Sequence, residues 1–178
     1  MTGMEDDRGG RVIAVLEPAT GSDLESIMIL EQQAFGPSGW SVDGWRAELE
    51  AADRDVLVAR DGTQAVIGVI TVQTVGTTAD LHRLVVADRS RRHGVGTDLV
   101  DAGVRAARTR GAERMLLEVE SDNDPAVALY QRYGFEQLGS RPDYYGPGRH
   151  ALIMKRYALD GPLVVQVDWL PDGRGDHD

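Results

Sequence analysis

The sequence predicts an α/β domain built on a mixed sheet, on three observations. Short β-branched runs alternate with stretches of helical periodicity in the order βααββ, then βαβα, then ββ. Glycine and proline fall at the joints, as at Gly36-Pro37-Ser38-Gly39, Asp61-Gly62, Gly111 and Gly134. The 178 residues suffice for one domain with its own core and are few for two.

The elements run in order along the chain. Arg11 to Leu16 is a β-branched run and reads as the first strand. Ser22-Asp23 caps a helix whose apolar positions Leu24, Ile27, Met28 and Phe35 recur at helical spacing. The glycine-proline break ends it, and Ser41 opens a second helix carrying Val42, Trp45 and Leu49. Strands over Asp55–Arg60 and Ala65–Gln73 are joined by a loop beginning Asp61-Gly62, a hairpin signal. Ala79–Val86 is a fourth strand, and Asp98 to Arg110 a helix stopped by Gly111. Met115–Glu120 is a fifth strand; Asp124 caps a helix begun by Pro125 and ended at Gly134. Phe135–Leu138 and Ala151–Arg156 complete the set. Residues 1–10 and the tail from Pro171 read as disordered, and the apolar run Leu163–Leu170 has no assigned role.

Composition excludes several classes of function. There is no cysteine, hence no disulfide, no thiolate metal site and no cysteine acyl-enzyme. With 19 basic and 29 acidic residues the net charge is −10, which argues against general nucleic-acid binding and favours cationic or amine-bearing partners. His82, His93, His150 and His177 are scattered, so no metal is expected. No apolar run approaches the roughly 20 residues that span a bilayer. The polar, acidic start is not a signal peptide, so no membrane association is expected and the cytoplasm is the expected address.

Against the acidic background one segment stands out. Residues 89–97 read R-S-R-R-H-G-V-G-T, placing Arg89, Arg91, Arg92 and His93 just ahead of Gly94 and Gly96. They join the apolar run Leu84-Val85-Val86 to a helix. A strand that passes through a cationic, glycine-bearing turn into a helix start can hold pyrophosphate, because the first helical amides are unpaired donors. A Walker A loop needs Lys after the glycine, where Thr97 stands, and a dinucleotide fingerprint needs a third glycine, where Leu99 stands. The pattern present is R-x-x-G-x-G at Arg91, Gly94 and Gly96.

That pattern resembles the pyrophosphate loop of the GNAT acyltransferases, which bind acetyl-CoA. L-L-E-V-E-S-D-N-D-P-A-V-A-L-Y-Q-R-Y-G-F at 116–135 is similar to the second half of the GNAT core. Within the family it most resembles the bacterial ribosomal-protein-alanine N-acetyltransferases (RimI type). G-W-S at 39–41, Y-Y-G-P-G at 144–148 and A-L-I-M at 151–154 agree. The resemblance covers residues 11–158, leaving 159–178 as a C-terminal extension, and implies a mostly antiparallel seven-stranded sheet flanked by four helices.

It also implies roles. The main chain of Leu84, Val85 and Val86 would pair with the pantetheine arm. Amides from Arg92, His93, Gly94, Val95, Gly96 and Thr97 would receive the pyrophosphate, with Arg91 at the head of the motif. Asn123 would contact the cofactor near the thioester. Glu118 would be the general base and Tyr130 the general acid. Phe35, Trp40, Tyr144 and Tyr145 would wall a groove for the acceptor, a protein N-terminus such as that of a ribosomal protein. The chemistry suits these types: an α-amine with a pKa near 7.7–8.0 needs only a carboxylate to help deprotonate it. Direct attack by the amine also needs no enzyme nucleophile.

Other readings of the same residues stand beside these. Glu118 shares a strand face with Leu116 and Glu120 and could be a solvated residue. Tyr130 lies on an apolar stripe with Ala126, Leu129 and Tyr133 and could be core. Asn123 could be a turn residue, and Asp80 and His82 are reserve candidates for the base. Glu120 suggests a more acidic acceptor groove than the family's, and Gly39 replaces a common proline. The rival functions are acetylation of a small amine, or a non-catalytic CoA-binding module that docks through Leu163–Leu170.

Overall fold

The computed structural model describes residues 11–161. The expectations for residues 1–10, for Leu163–Leu170 and for the tail lie outside the described residues. The strands are β1 (Val15–Pro18), β2 (Arg54–Arg60), β3 (Val66–Val75), β4 (Thr78–Val86), β5 (Arg114–Glu120), β6 (Glu136–Gly146) and β7 (Arg149–Arg156). The helices are α1 (Leu24–Phe35), α2 (Val42–Glu50), α3 (Val95–Thr109) and α4 (Asp124–Arg132). The sheet order is β1-β2-β3-β4-β5-β7-β6. Among the described residues only β4 and β5 run parallel, joined by the α3 crossover, so the mixed, mostly antiparallel sheet agrees with the sequence.

β3 shows why its apolar run is continuous: helices cover both of its faces. Gly68, Ile70 and Val72 face α3, where a Cβ on Gly68 would come within 2.8 Å of the Leu99 side chain. A Cβ on Gly103 of α3 would come within 2.9 Å of Ile70, so the two glycines let helix and strand approach closely. Thr71 points the other way and donates to Glu48 of α2 at 2.6 Å. Ile27, Trp45, Ile67, Leu99, Met115, Met154 and Leu159 are fully buried, and Leu159 N donates to Glu113 O at 3.0 Å. Among the described residues no helix is long and apolar enough to cross a membrane.

Of the boundaries that differ from the sequence reading, four have a visible cause. β1 begins at Val15 rather than Arg11, because Val12 N donates to His93 O at 3.2 Å and draws the preceding residues onto the β4–α3 turn. α3 begins at Val95 rather than Asp98, since Gly94 adopts φ +86° and delivers the chain directly into the helix. The cap of α4 is Asn123 rather than Asp124: its side chain accepts from Ala126 N at 3.3 Å. β6 continues past Leu138 to Gly146, paired with β7 through two register shifts, one that skips Leu138 and one that takes in 142–145 with Pro142.

A break in the pairing at the centre of the sheet shapes the functional face. β4 and β5 pair only over Thr78–Leu81 and Arg114–Leu117. The β3–β4 register then skips His82, which sits as an extra residue between Leu81, opposite Val72, and Arg83, opposite Thr71. A bulge bends its strand and increases local twist. Beyond it β4 stays with β3 and β5 with β7, so the sheet opens into a seam.

Candidate active site

At one end of the seam lies the cationic turn. After Val86 a short 3₁₀ turn, Asp88–Ser90, buries Ser90, and Arg91 donates to Val86 O at 3.3 Å while pairing with Asp88 at 3.1 Å. Arg92 and Gly94 both have positive φ, +63° and +86°. Among the described residues no side chain caps α3. Its first amides therefore have no helical partner and remain available as donors, beside the positive end of the helix dipole. Leu84–Val86, on the β4 edge that faces the seam, are free of a strand on that side. The stretch 84–97 thus has the form an extended, phosphate-bearing ligand requires.

Two further residues brace this turn, and neither carries a local sequence signal. Arg11 lies with its stem 3.7 Å from where a Gly94 Cβ would stand, and pairs with Asp98 at 2.5 Å. Tyr133, whose hydroxyl donates to Thr97 O at 3.0 Å, ties α4 to the start of α3. Burial, and then the nearby Asp101 and Asp98, push its phenol pKa up.

At the other end is a cavity of about 420 Å³. Its polar wall comprises Asp80, His82 and Arg83 of β4, Glu118 of β5, and Arg141, Tyr144 and Tyr145 of β6, with Trp40 from the α1–α2 loop. On a regular strand His82 and Arg83 would face opposite sides; the bulge lets both reach the cavity. Glu118 pairs with Arg141 at 3.2 Å. Its hydrogen-bonding pull on the Tyr144 hydroxyl, and then its charge, raise the Tyr144 pKa. The Asp80 carboxylate, unlike its backbone, has no hydrogen-bond or ion-pair partner among the described residues. Its pKa is raised, first by burial and then by Glu118, against the opposing pull of His82 and Arg54.

A buried carboxylate and a half-buried one behind the wall fix its cations. Glu31 of α1 is 1% exposed, accepts from Trp40 N at 2.7 Å and binds Arg83 through both Nε and Nη2. The Arg83 guanidinium lies 3.6 Å over the Phe35 ring and 4.9 Å from that of Trp40, a cation–π arrangement. Glu48 of α2 stands 3.3 Å from His82 Nδ1 and 3.2 Å from Arg54 Nε. Burial opposes its ionisation, but His82, Thr71 and Arg54 together outweigh that and hold its pKa low. Both carboxylates interrupt apolar helix faces (Ile27 and Leu30 around Glu31, Trp45 and Leu49 around Glu48). A charge on such a face is the readable sign of a buried partner.

The sequence-predicted residues divide accordingly. Glu118, Trp40, Tyr144 and Tyr145 meet at the cavity with the reserve candidates Asp80 and His82. Phe35 supports Arg83 from behind. Tyr130 is 6% exposed, edge-on to Phe135 at 5.8 Å, and its hydroxyl bonds to none of the described residues. Burial, with Tyr145 adding, pushes its pKa well above the usual phenol value. Asn123 spends its side-chain oxygen on the α4 cap. Glu120 does not make the groove more acidic: Arg149 grips it at 2.6 and 2.9 Å and holds its pKa low. Asp143, at φ +54°, braces the β6 bulge by donating its amide to His150 Nδ1 at 3.0 Å and accepting from Gly148 N at 2.7 Å.

Comparison with known proteins agrees with this geometry. Residues 24–135 match the model of the acetyltransferase (GNAT) family. The chain is 33% identical over 153 residues to an uncharacterised protein of Mycobacterium leprae, covering 83% of this chain and 41% of that one. It therefore spans about two fifths of that relative's length. It is 30% identical over 147 residues to the N-alpha-acetyltransferase RimI of Mycobacterium tuberculosis, covering 79% of this chain and 90% of that protein. The crystal structure of the ribosomal-protein-alanine N-acetyltransferase from Escherichia coli superposes with a TM-score of 0.74 at 23% identity, covering 82% and 94% of the two chains; this likeness speaks for the fold. The bulged β4, the open seam and the uncapped α3 all lie within the matched residues, and the chain belongs to the GNAT acetyltransferase family.

Proposed function

We propose that this enzyme acetylates the N-terminal α-amine of a protein, a bacterial ribosomal protein being one candidate, with acetyl-CoA as cosubstrate. The observation that carries the reading is the seam itself. It has uncapped helical amides at one end and, at the other, a cavity holding two carboxylates. The residues fit acetyl-CoA, which supplies the activated acetyl group and a thiolate leaving group. The edge of Leu84–Val86 offers main-chain groups to the pantetheine amides as a neighbouring strand would. Amides from Arg92 to Thr97 receive the pyrophosphate, with Arg91 beside them and Asn123 toward the thioester.

At the cavity, Glu118 takes the proton from the attacking amine, directly or through water, and Asp80 adds a second negative charge that draws the ammonium in. Trp40, Tyr144 and Tyr145 flank the acceptor. Tyr130 gives its proton to the departing thiolate. A phenol is protonated at neutral pH, the state an acid requires.

The test is CoA release from acetyl-CoA with a peptide beginning Ala-Arg-Tyr, beside the same peptide blocked at its N-terminus, with product masses. Acetylation of the free peptide alone is expected; bound acetyl-CoA with no peptide turnover overturns the reading. A small-amine acceptor is the second reading, favoured by the cavity volume of about 420 Å³, which falls in the roughly 300–1,000 Å³ range of small-ligand pockets.

A further inference from the structure

The charged side chains of the cavity wall are unequally committed. Arg83 is locked, with two of its nitrogens on a Glu31 carboxylate that is 1% exposed and its plane against Phe35 and Trp40. His82 is held through Nδ1 by Glu48. Arg141 is different. Its side chain is 52% exposed, its ionic partner is Glu118 at 3.2 Å, and its other neighbour is the face of Tyr144 at 5.3 Å, which attracts a cation without neutralising it.

Glu118 is also the carboxylate that receives the acceptor amine in the proposed function, and the role of Arg141 rests on that reading. An α-amine with a pKa near 7.7–8.0 arrives largely as ammonium at neutral pH. It therefore competes with Arg141 for one carboxylate. Asp80, within electrostatic range of Glu118, adds to the pull on the ammonium. Acceptor entry releases the Arg141 guanidinium, which then presents a planar fork of donors at the cavity wall. Arg83 and His82 stay in place, because Glu31 and Glu48 keep them.

We propose that Arg141 is a specificity residue that reads the charge next to the acceptor amine. The site prefers acceptors with a carboxylate near the amine, an Asp or Glu in second position or the amine's own carboxylate in a small acceptor, and turns over those with a cation in second position, Ala-Arg-Tyr among them, more slowly. Successive Cα atoms lie about 3.8 Å apart, so a second-residue side chain reaches a guanidinium that had been in contact with Glu118. A carboxylate meets such a fork bidentately, whereas Lys or Arg repels it. The overall charge of −10 draws cationic partners from a distance, and Arg141 sorts them at contact.

The experiment uses the full chain with acetyl-CoA and four acceptors: two peptides identical except for Glu or Lys in second position, and free alanine beside alaninamide. For the wild type, kcat/KM is expected to favour the carboxylate member of each acetylated pair by about three- to tenfold, the scale of a part-exposed ion pair, expressed in KM. In Arg141→Gln the ratio falls to about one, and Arg141→Lys restores most of it. A wild-type ratio no larger than the Arg141→Gln ratio, or a preference for Lys, overturns the proposal. Peptide turnover without charge preference removes this inference and leaves N-terminal acetylation standing. Idle peptides, with alanine preferred over alaninamide, do the reverse. No turnover of any acceptor sinks both.

Discussion

The two ends of the seam are built by opposite means. At the end proposed to hold phosphate the backbone supplies the groups: a left-handed Gly94, an uncapped helix start and a bare strand edge, all within residues 84–97. At the cavity, proposed to take the acceptor, the groups are side chains from β4, β5, β6 and the α1–α2 loop, held by carboxylates on α1 and α2. A backbone device is contiguous and tolerates change in the surrounding side chains. A side-chain constellation depends on ion pairs between distant segments, and it can be retuned one residue at a time. The difference implies that damage at one end should spare the other.

The largest effect should come from Glu31→Ala, which strands the buried end of Arg83 and removes the acceptor for Trp40 N. Breaking a buried pair costs about 3–5 kcal/mol, so the melting temperature should fall by many degrees and acceptor KM should rise. Equal loss of acetyl-CoA affinity and acceptor KM, measured on the folded fraction, would erase the distinction between the two ends. Next come Glu118→Gln and Tyr130→Phe, each expected to lower kcat by about 10² or more. Calorimetry should show acetyl-CoA affinity unchanged in both, and normal turnover in both would remove the proposed acid–base pair.

Gly94→Ala probes the opposite end. Forcing a Cβ into the left-handed region costs about 1–2 kcal/mol, and the chain relieves it by shifting the turn. Acetyl-CoA binding should weaken by about tenfold with acceptor KM nearly constant. The smallest effect concerns pH. The Glu48 pKa lies below its ordinary 4.5, so its contribution to stability is complete above that value and is lost as pH falls through the lowered one. Thermal unfolding scanned from pH 6 to 3 should show a shallower acid slope for Glu48→Gln than for the wild type. An identical slope would mean that the contacts of Glu48 with His82, Thr71 and Arg54 contribute nothing.

Legibility in the sequence divides in the same way. The β2–β3 hairpin at Asp61-Gly62 is readable because turn chemistry is local, and its first turn closes with Asp61 N on Ala65 O at 3.0 Å. The R-x-x-G-x-G turn is readable for the same reason. β6 beyond Leu138 is not: Pro142 and Gly139 argue against a strand, and only pairing with β7 makes one. Glu31 and Arg83 are 52 residues apart, and their pairing leaves no pattern beyond a charge on an apolar helix face. Arg141 leaves none at all, since an arginine in a polar edge segment is ordinary. Arg11 reads as part of β1, because nothing local says that a β-branched run will leave its sheet for a turn far along the chain.

The opened sheet has a consequence for how firmly the protein is held together. Past Leu81 and Leu117 two strands carry facing edges with no backbone partner between them, so the fold is left one rung short of closure. A ligand that lies in this gap acts as a removable strand, and its binding free energy is added to folding: about 2.7 kcal/mol at a hundredfold excess over Kd. Supply of the acyl donor would then set the lifetime of the enzyme as well as its turnover, with the starved protein the first to yield to a protease.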